Sequence, residues 1–335
     1  MPESRPSHRK PPIDAVVAIT YRCNLRCGKC NLWQHCSPTD LDPAIIDKLP
    51  ASLLDLNISG GEPFLHPHLA DIVHRALNRL LKARIIISTG GWLTGGQVDV
   101  LHSLATERDR VGLAVSLDGL AVEHDLERGR PGSFQMALDT LERARKMGFD
   151  DLRIAFTITP QNVQLLPRMQ ELAHKLAVEM SVALVHASEH YFVPAPEKQQ
   201  VDKRQLKESI AQVLEEKVKS LSPKELARSY FLAGLDYFNR SGRRPLPCYA
   251  GGDFFFLDPN GLVYACNMLA HPLGDLSRQS FEEIWEGKSA QEAFTNACEC
   301  NSCWMVCSAR TSIKRHKAKV AAWALRAKLG NARIE

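Results

Sequence analysis

The chain has 335 residues, 44% of them hydrophobic and 24% charged, ordinary figures for a soluble globular protein with room for a sizeable core. A formal net charge of +4 is too small to argue for a nucleic-acid partner. No run approaches the roughly 18 apolar residues of a membrane span, and none supplies the apolar centre of a signal peptide, so a cytoplasmic protein without a transmembrane segment is expected.

In chain order, the polar, proline-rich MPESRPSHRKPP (1–12) predicts a flexible start. Short β-branched runs then mark strands at 13–20, 53–59, 84–89, 111–118, 151–159 and 179–186, with helical patterns at 42–49, 67–82, 96–106, 133–147 and 164–177. Six such units in a row predict an α/β fold whose parallel sheet is either open or closed into a full or partial barrel. In folds of this kind ligands gather at the carboxyl ends of the strands. Five suggestive stretches follow those ends here: the cysteine loop, SGGEP (59–63), STGG (88–91), SLDG (116–119) and TPQN (159–162). The core is expected over 13–190, followed by a polar, helical bridging segment over 191–245.

Beyond it, CYAGGDFFFLDPNGLVYACNML (248–269) places two β-rich runs around DPNG, a hairpin signal. Residues 274–294 read as a single helix, with Ser280 and Glu283 spaced as a capping box. A cysteine-rich stretch, CECNSCWMVC (298–307), completes a small hairpin-and-helix domain over 246–310. The tail, 311–335, reads as one basic amphipathic helix that could pack as a lid or make peripheral contact with a membrane.

The ten cysteines are not scattered. Four lie within 23–36 and six within 248–307, a grouping that fits metal ligands better than buried thiols or cytosolic disulfides. The first group, TYRCNLRCGKC, spaces Cys23, Cys27 and Cys30 as C-x3-C-x2-C. Three thiolates on one loop can hold three irons of a cubane cluster and leave the fourth open, or can bind zinc if His35 or Cys36 completes the set.

C-x3-C-x2-C after the first strand, with GGEP after the second, resembles the radical S-adenosylmethionine (radical SAM) superfamily. The resemblance covers 13–190 and implies a partial (β/α)6 TIM-like barrel. It implies a [4Fe–4S] cluster on Cys23, Cys27 and Cys30, whose open iron is chelated by SAM. In that family one electron cleaves SAM to a 5′-deoxyadenosyl radical that abstracts a substrate hydrogen atom. Gly60, Gly61 and Glu62 are similar to the motif that holds the SAM amino group. Ser116 and Arg128 resemble the pair that grips the SAM carboxylate, Ser88 a ribose contact and Asn162 a frequent polar contact. The sequence departs from the family at Lys29, where an aromatic is usual, and at Ser88-Thr89-Gly90, where T-N-G is usual.

The second cysteine group, C-x12-G-x4-C followed by C-x-C-x2-C-x3-C, resembles the SPASM/Twitch extension of these enzymes. Six cysteines are too few for two fully cysteine-ligated clusters, so one auxiliary [4Fe–4S] cluster is expected. Cys248, Cys266, Cys300 and Cys303 match best, Cys307 competes, and Cys298 is a lesser alternative; a structural zinc ribbon is the other reading.

Asn267 stands directly after the second hairpin cysteine, where sulfatase-maturing relatives carry an Asp that serves as base, so that activity is not carried over. Candidate bases are Asp118, Glu189, His190, Tyr191 and Asp253. The resemblance implies an oxidoreductase or modifying enzyme acting on a small molecule or a peptide, fed electrons by a flavodoxin- or ferredoxin-type reductase. The dozen residues before the first strand are too few for a leader-binding domain, so a peptide would need a separate recognition protein. The alternative from a different class is a non-catalytic zinc or iron–sulfur protein acting as a redox sensor.

Overall fold

A computed structural model of the chain describes residues 10–34, 39–186, 188 and 200–334. Six strands form in the expected order: β1 (Asp14–Ala18), β2 (Asp55–Ser59), β3 (Arg84–Thr89), β4 (Val111–Ser116), β5 (Leu152–Ile158) and β6 (Glu179–Leu184). Each pairs in parallel with its neighbours in sequence. Alternation along a strand decides what each face meets. In β5, Leu152, Ile154, Phe156 and Ile158 are buried, while Arg153, Ala155 and Thr157 on the other face are partly exposed.

The helices between these strands are α1 (Leu69–Arg79), α2 (Gly96–Ser103), α3 (Ala121–Arg128), α4 (Ser133–Lys146) and α5 (Leu166–Lys175). Their buried stripes, such as Ile72, Val73 and Ala76 of α1 and Ala137, Leu141 and Ala144 of α4, join the strand side chains in one continuous core. The pattern expected over 42–49 is a 3-10 helix, Pro43–Lys48, entered through an Asp42 cap. The short helix α3 had no sequence signal of its own; it ends on Gly129, whose φ of +61° suits a residue without a Cβ.

The bridging segment contains α6 (Lys203–Lys217) and α7 (Pro223–Ser241), capped by Asp202 and Ser222. The DPNG hairpin forms as β7 (Phe254–Leu257) and β8 (Leu262–Tyr264). Its β7 pairs in parallel with β1, with Val16 opposite Phe256. The sheet therefore runs on as β6-β5-β4-β3-β2-β1-β7-β8-β9, where β9 is Pro272–Asp275. The compositional change near 245 marks no break in the sheet.

Two single helices expected from the sequence are divided. Residues 274–294 comprise the end of β9, then α8 (Phe281–Glu286) and α9 (Lys288–Ala297). The capping box of Ser280 and Glu283 starts α8, and Gly287, in extended backbone, separates it from α9. The tail forms α10 (Val306–Arg315) and α11 (Lys317–Lys328), parted at His316, whose ring meets the Tyr249 hydroxyl at 2.9 Å. The apolar stripe of α11 packs inward: the Trp323 ring stands 5.3 Å from that of Tyr230 in α7, and Val320 and Ala324 are buried. Among the described residues no helix is long and apolar enough to cross a membrane.

Candidate functional site

The loop after β1 is held from two sides. On one side, the Gly61 amide donates to the Thr20 carbonyl at 2.8 Å and the Glu62 amide to the Arg22 carbonyl at 2.7 Å. Only glycine permits this approach, because a Cβ on Gly61 would lie 2.2 Å from the Arg22 carbonyl oxygen and one on Gly60 2.4 Å from that of Thr20. On the other side, the Arg26 and Gly28 amides donate to the carbonyls of Arg128 and Glu127 at the end of α3. Arg130 completes the clasp by bonding the Asn24 carbonyl and lying 3.6 Å over the Trp92 ring.

Cys23, Cys27 and Cys30 thereby line one cavity of about 180 Å³ with Gly60, Gly61, Glu62, Ser88, Ser116 and Arg128. Burial pushes the Cys23 thiol up to about 12 and the Cys30 thiol to about 11. Without metal these sulfurs hold their protons, so loading iron releases them. Burial also raises Glu62 to about 6, and its carboxylate accepts bonds from the Thr89 hydroxyl at 2.9 Å and the Gly90 amide at 2.8 Å. The hydroxyls of Ser59, Ser88, Ser116 and Thr157, from the ends of β2 to β5, complete the lining. Ser59, Thr89 and Thr157 were missed from the sequence. The available signal was a hydroxyl residue closing each strand pattern.

Arg128 is buried and ion-paired to Asp118, and its Nη1 lies 3.3 Å from the Cys27 sulfur. Its Nε is buried without a hydrogen-bond partner. A buried, unsatisfied donor beside three thiols that line one cavity is the arrangement expected where an anionic group of a cofactor docks, so the residues fit a [4Fe–4S] cluster with SAM. Ser116 stands in the same lining.

Several expectations change. Asp118 does not face the cavity as a base: it is buried, paired with both Arg128 and Lys29, and bonded by the Thr157 amide at 2.9 Å. Although burial opposes ionisation, these two cations hold its carboxyl down at about 2. Lys29, in the usual aromatic position, is thus a partner of Asp118. Asn162 is a clamp, donating to the carbonyls of Asp118 at 2.8 Å and Thr157 at 2.9 Å and accepting from the Thr159 amide at 2.7 Å. Asp253 belongs to the opposite end of the sheet, where its carbonyl receives the Ile13 and Asp14 amides and its carboxylate pairs with Arg315. Glu189, His190 and Tyr191, like His35 and Cys36, lie outside the described residues.

At the second site Cys248, Cys266, Cys300, Cys303 and Cys307 surround one small cavity of about 20 Å³, which Cys298 does not line. Burial pushes the Cys248 thiol up to about 11 and Cys266 to about 12. Among the described residues no three Cys, His, Asp or Glu side chains are drawn together closely enough to hold a single metal ion. Five soft sulfur donors lining one cavity nonetheless suit the larger iron–sulfur cluster, with one sulfur to spare. Val16 of β1 packs both against the apolar group of Phe256, which Cys30 also touches, and against that containing Cys248, Phe254 and Cys266. A larger cavity of about 740 Å³ lies by the opposite ends of the strands, and its charges already pair with one another, as in Arg84–Asp151 and Arg228–Glu179.

This geometry makes Gly61 a sensitive position. Gly61→Ala should displace the Arg22 backbone and with it Cys23. The rate of 5′-deoxyadenosine formation from SAM should fall about hundredfold, as expected for misplacement of a reacting centre by roughly an ångström; iron content and product are measured together.

Residues 17–174 match the model of the radical SAM superfamily, and residues 248–304 match SPASM, an iron–sulfur cluster-binding domain. The chain is 29% identical to the AdoMet-dependent heme synthase of Methanosarcina barkeri, over 80% of either chain. It is 28% identical to the mycofactocin maturase MftC of Mycobacterium tuberculosis, over 87% of this chain and 75% of that one. It is 24% identical to the antilisterial bacteriocin subtilosin biosynthesis protein AlbA of Bacillus subtilis, over 93% and 71%. Among solved structures it shares its fold with anSMEcpe with bound AdoMet, at a TM-score of 0.64, 14% identity and coverage of 94% and 96%. It also shares it with Streptococcus suis SuiB bound to the precursor peptide SuiA, at 0.64, 14% identity and 89% and 70%.

Proposed function

We propose that this chain, which belongs to the radical SAM superfamily and carries a SPASM iron–sulfur domain, oxidatively modifies a peptide by reductive cleavage of SAM. The observation that carries this reading is the convergence of Cys23, Cys27, Cys30, Glu62 and the unsatisfied Arg128 Nε on one cavity at the strand ends. Bound there, a [4Fe–4S] cluster with SAM supplies the one-electron cleavage that yields a 5′-deoxyadenosyl radical able to take a substrate hydrogen, and an auxiliary [4Fe–4S] cluster supplies an electron sink.

The chain's own groups do the positioning. Glu62, ionised above about pH 6, offers its carboxylate to the SAM amine. Arg128 Nε and Ser116 take the SAM carboxylate, and Ser88, bonded to Asn57 at 3.0 Å, offers its hydroxyl to the ribose. Cys248, Cys266, Cys300 and Cys303 hold the auxiliary cluster, and Cys307 stands beside them. That Val16 packs against the apolar groups beside both cysteine sites supports a second centre near the first.

A peptide substrate is supported by the names of the maturase relative and the bacteriocin biosynthesis protein. Similarity to a heme synthase favours a second reading, a tetrapyrrole. Protein reconstituted anaerobically should hold about eight irons per chain and form 5′-deoxyadenosine with dithionite and SAM; a flavodoxin- or ferredoxin-type reductase would replace dithionite in the cell. A fully loaded protein that forms none overturns the reading, and about four irons with one zinc removes the auxiliary cluster. Stimulation by a tetrapyrrole and not by peptides would move the substrate to the second class.

A further inference from the structure

Arg244 lies in RRPLPC, just ahead of Cys248, in a stretch whose sequence carries no motif. Its side chain is buried against Cys303, one of the residues lining the second cysteine cavity. Nη1 donates to the Cys303 carbonyl at 2.6 Å and the Ser308 hydroxyl at 3.1 Å, and it stands 3.8 Å from the Cys303 sulfur. Nη2 donates to the Ser312 hydroxyl at 3.3 Å and Nε to the Leu246 carbonyl at 3.2 Å, while the guanidinium lies 5.0 Å from the Trp304 ring centre. All of these partners are neutral in the metal-free chain. Among the described residues no carboxylate pairs with Arg244.

A buried cation with no anion is costly unless the negative charge arrives with something else. The neighbouring site supplies it, because cysteines ligate as thiolates and a cluster on four of them is anionic overall. We propose that Arg244 is the electrostatic partner of the auxiliary cluster and raises its reduction potential, biasing the site toward accepting an electron. This rests on the reading of Cys248, Cys266, Cys300 and Cys303 as cluster ligands. Adding an electron adds negative charge, and a fixed positive charge in a low-dielectric surrounding favours that state. Arg244 is therefore a positioning and tuning residue.

The test uses the full chain with Cys23, Cys27 and Cys30 replaced by Ala, so that the auxiliary cluster is the only one present. Its reduced fraction is followed by electron paramagnetic resonance against poised potential. At the parent midpoint, Arg244→Gln should lower the reduced-to-oxidised ratio at least ~10-fold, equivalent to about 59 mV for one electron. Ser312→Asp, which keeps Arg244 but neutralises it through Nη2, should lower it in the same direction. Arg244→Lys, which keeps the charge and loses the fork, should stay within about threefold of the parent. Unchanged ratios in the Gln and Asp variants overturn the proposal, as does loss of iron from both, which would make Arg244 a scaffold alone. A parent that holds no iron brings down the auxiliary-cluster reading itself, and the proposal with it.

Discussion

Replacing Cys23, Cys27 and Cys30 together with Ala should reduce 5′-deoxyadenosine formation to background while removing about four irons per chain. The expected loss is complete, because no other described sulfur lines that cavity. The fold should survive. The loop is anchored by backbone bonds from Arg26, Gly28, Gly61 and Glu62, none of which uses a cysteine side chain. Circular dichroism and iron analysis on the same sample separate loss of the centre from loss of structure. Replacing Cys248 and Cys266 instead should leave measurable SAM cleavage, since those residues line only the second cavity. A triple variant that still cleaves SAM would refute the assignment of the first site.

Asp118→Asn should be the most destabilising single substitution near the site. The carboxylate neutralises Arg128 and Lys29 with almost no access to solvent. Removing it takes from the buried Arg128 and the half-buried Lys29 the carboxylate both pair with, leaving Glu127 as the nearby carboxylate that both still feel. The loss costs about 3–5 kcal/mol, read as a shift in the urea midpoint. The pH dependence has a definite sign. The folded-state value of about 2 lies below the ordinary 3.8, so between them the unfolded chain binds more protons and stability rises with pH. The contribution is present above about pH 4 and is lost as pH falls toward 2, amounting to about 2 kcal/mol. In Asp118→Asn this acid-dependent portion should vanish. A variant as stable as the parent, with an unchanged acid limb, would show that Arg128 and Lys29 find other partners.

The fold was legible in the sequence wherever neighbours along the chain decide the outcome. The β-branched runs of β1 to β6, and helices such as α1, α4 and α5, follow from periodicity within a single segment. The capping box at Ser280 is equally local. Errors came where a local pattern met a backbone interruption. Gly287 and His316 each end one helix and begin another, and both patterns remain helical on either side. The short helix α3 is held by its clasp on the cysteine loop, a contact invisible in eight residues of sequence.

For the site, spacing was informative because thiol chemistry is selective: C-x3-C-x2-C and the second cysteine group announce metal centres from residue type alone. What each polar residue does was not legible. Asp118 and Asp253 read alike as free carboxylates, yet one neutralises the Arg128–Lys29 pair and the other ties Arg315 to the far end of the sheet. Asn162 read as a ligand contact and is a clamp between two strand ends.

The sequence by itself determined two cysteine centres, the alternation of strands and helices, and the glycines that let Glu62 approach the cysteine loop. Only the tertiary structure decided that β7 joins β1, so that Val16 packs against apolar groups beside both cysteine sites. It alone placed Arg128 between Asp118 and the Cys27 sulfur, and Arg244 against Cys303. Periodicity and spacing are properties of neighbours on the chain, whereas strand pairing and the burial of a charge depend on groups tens or hundreds of residues apart, whose meeting is set by the packing of the whole.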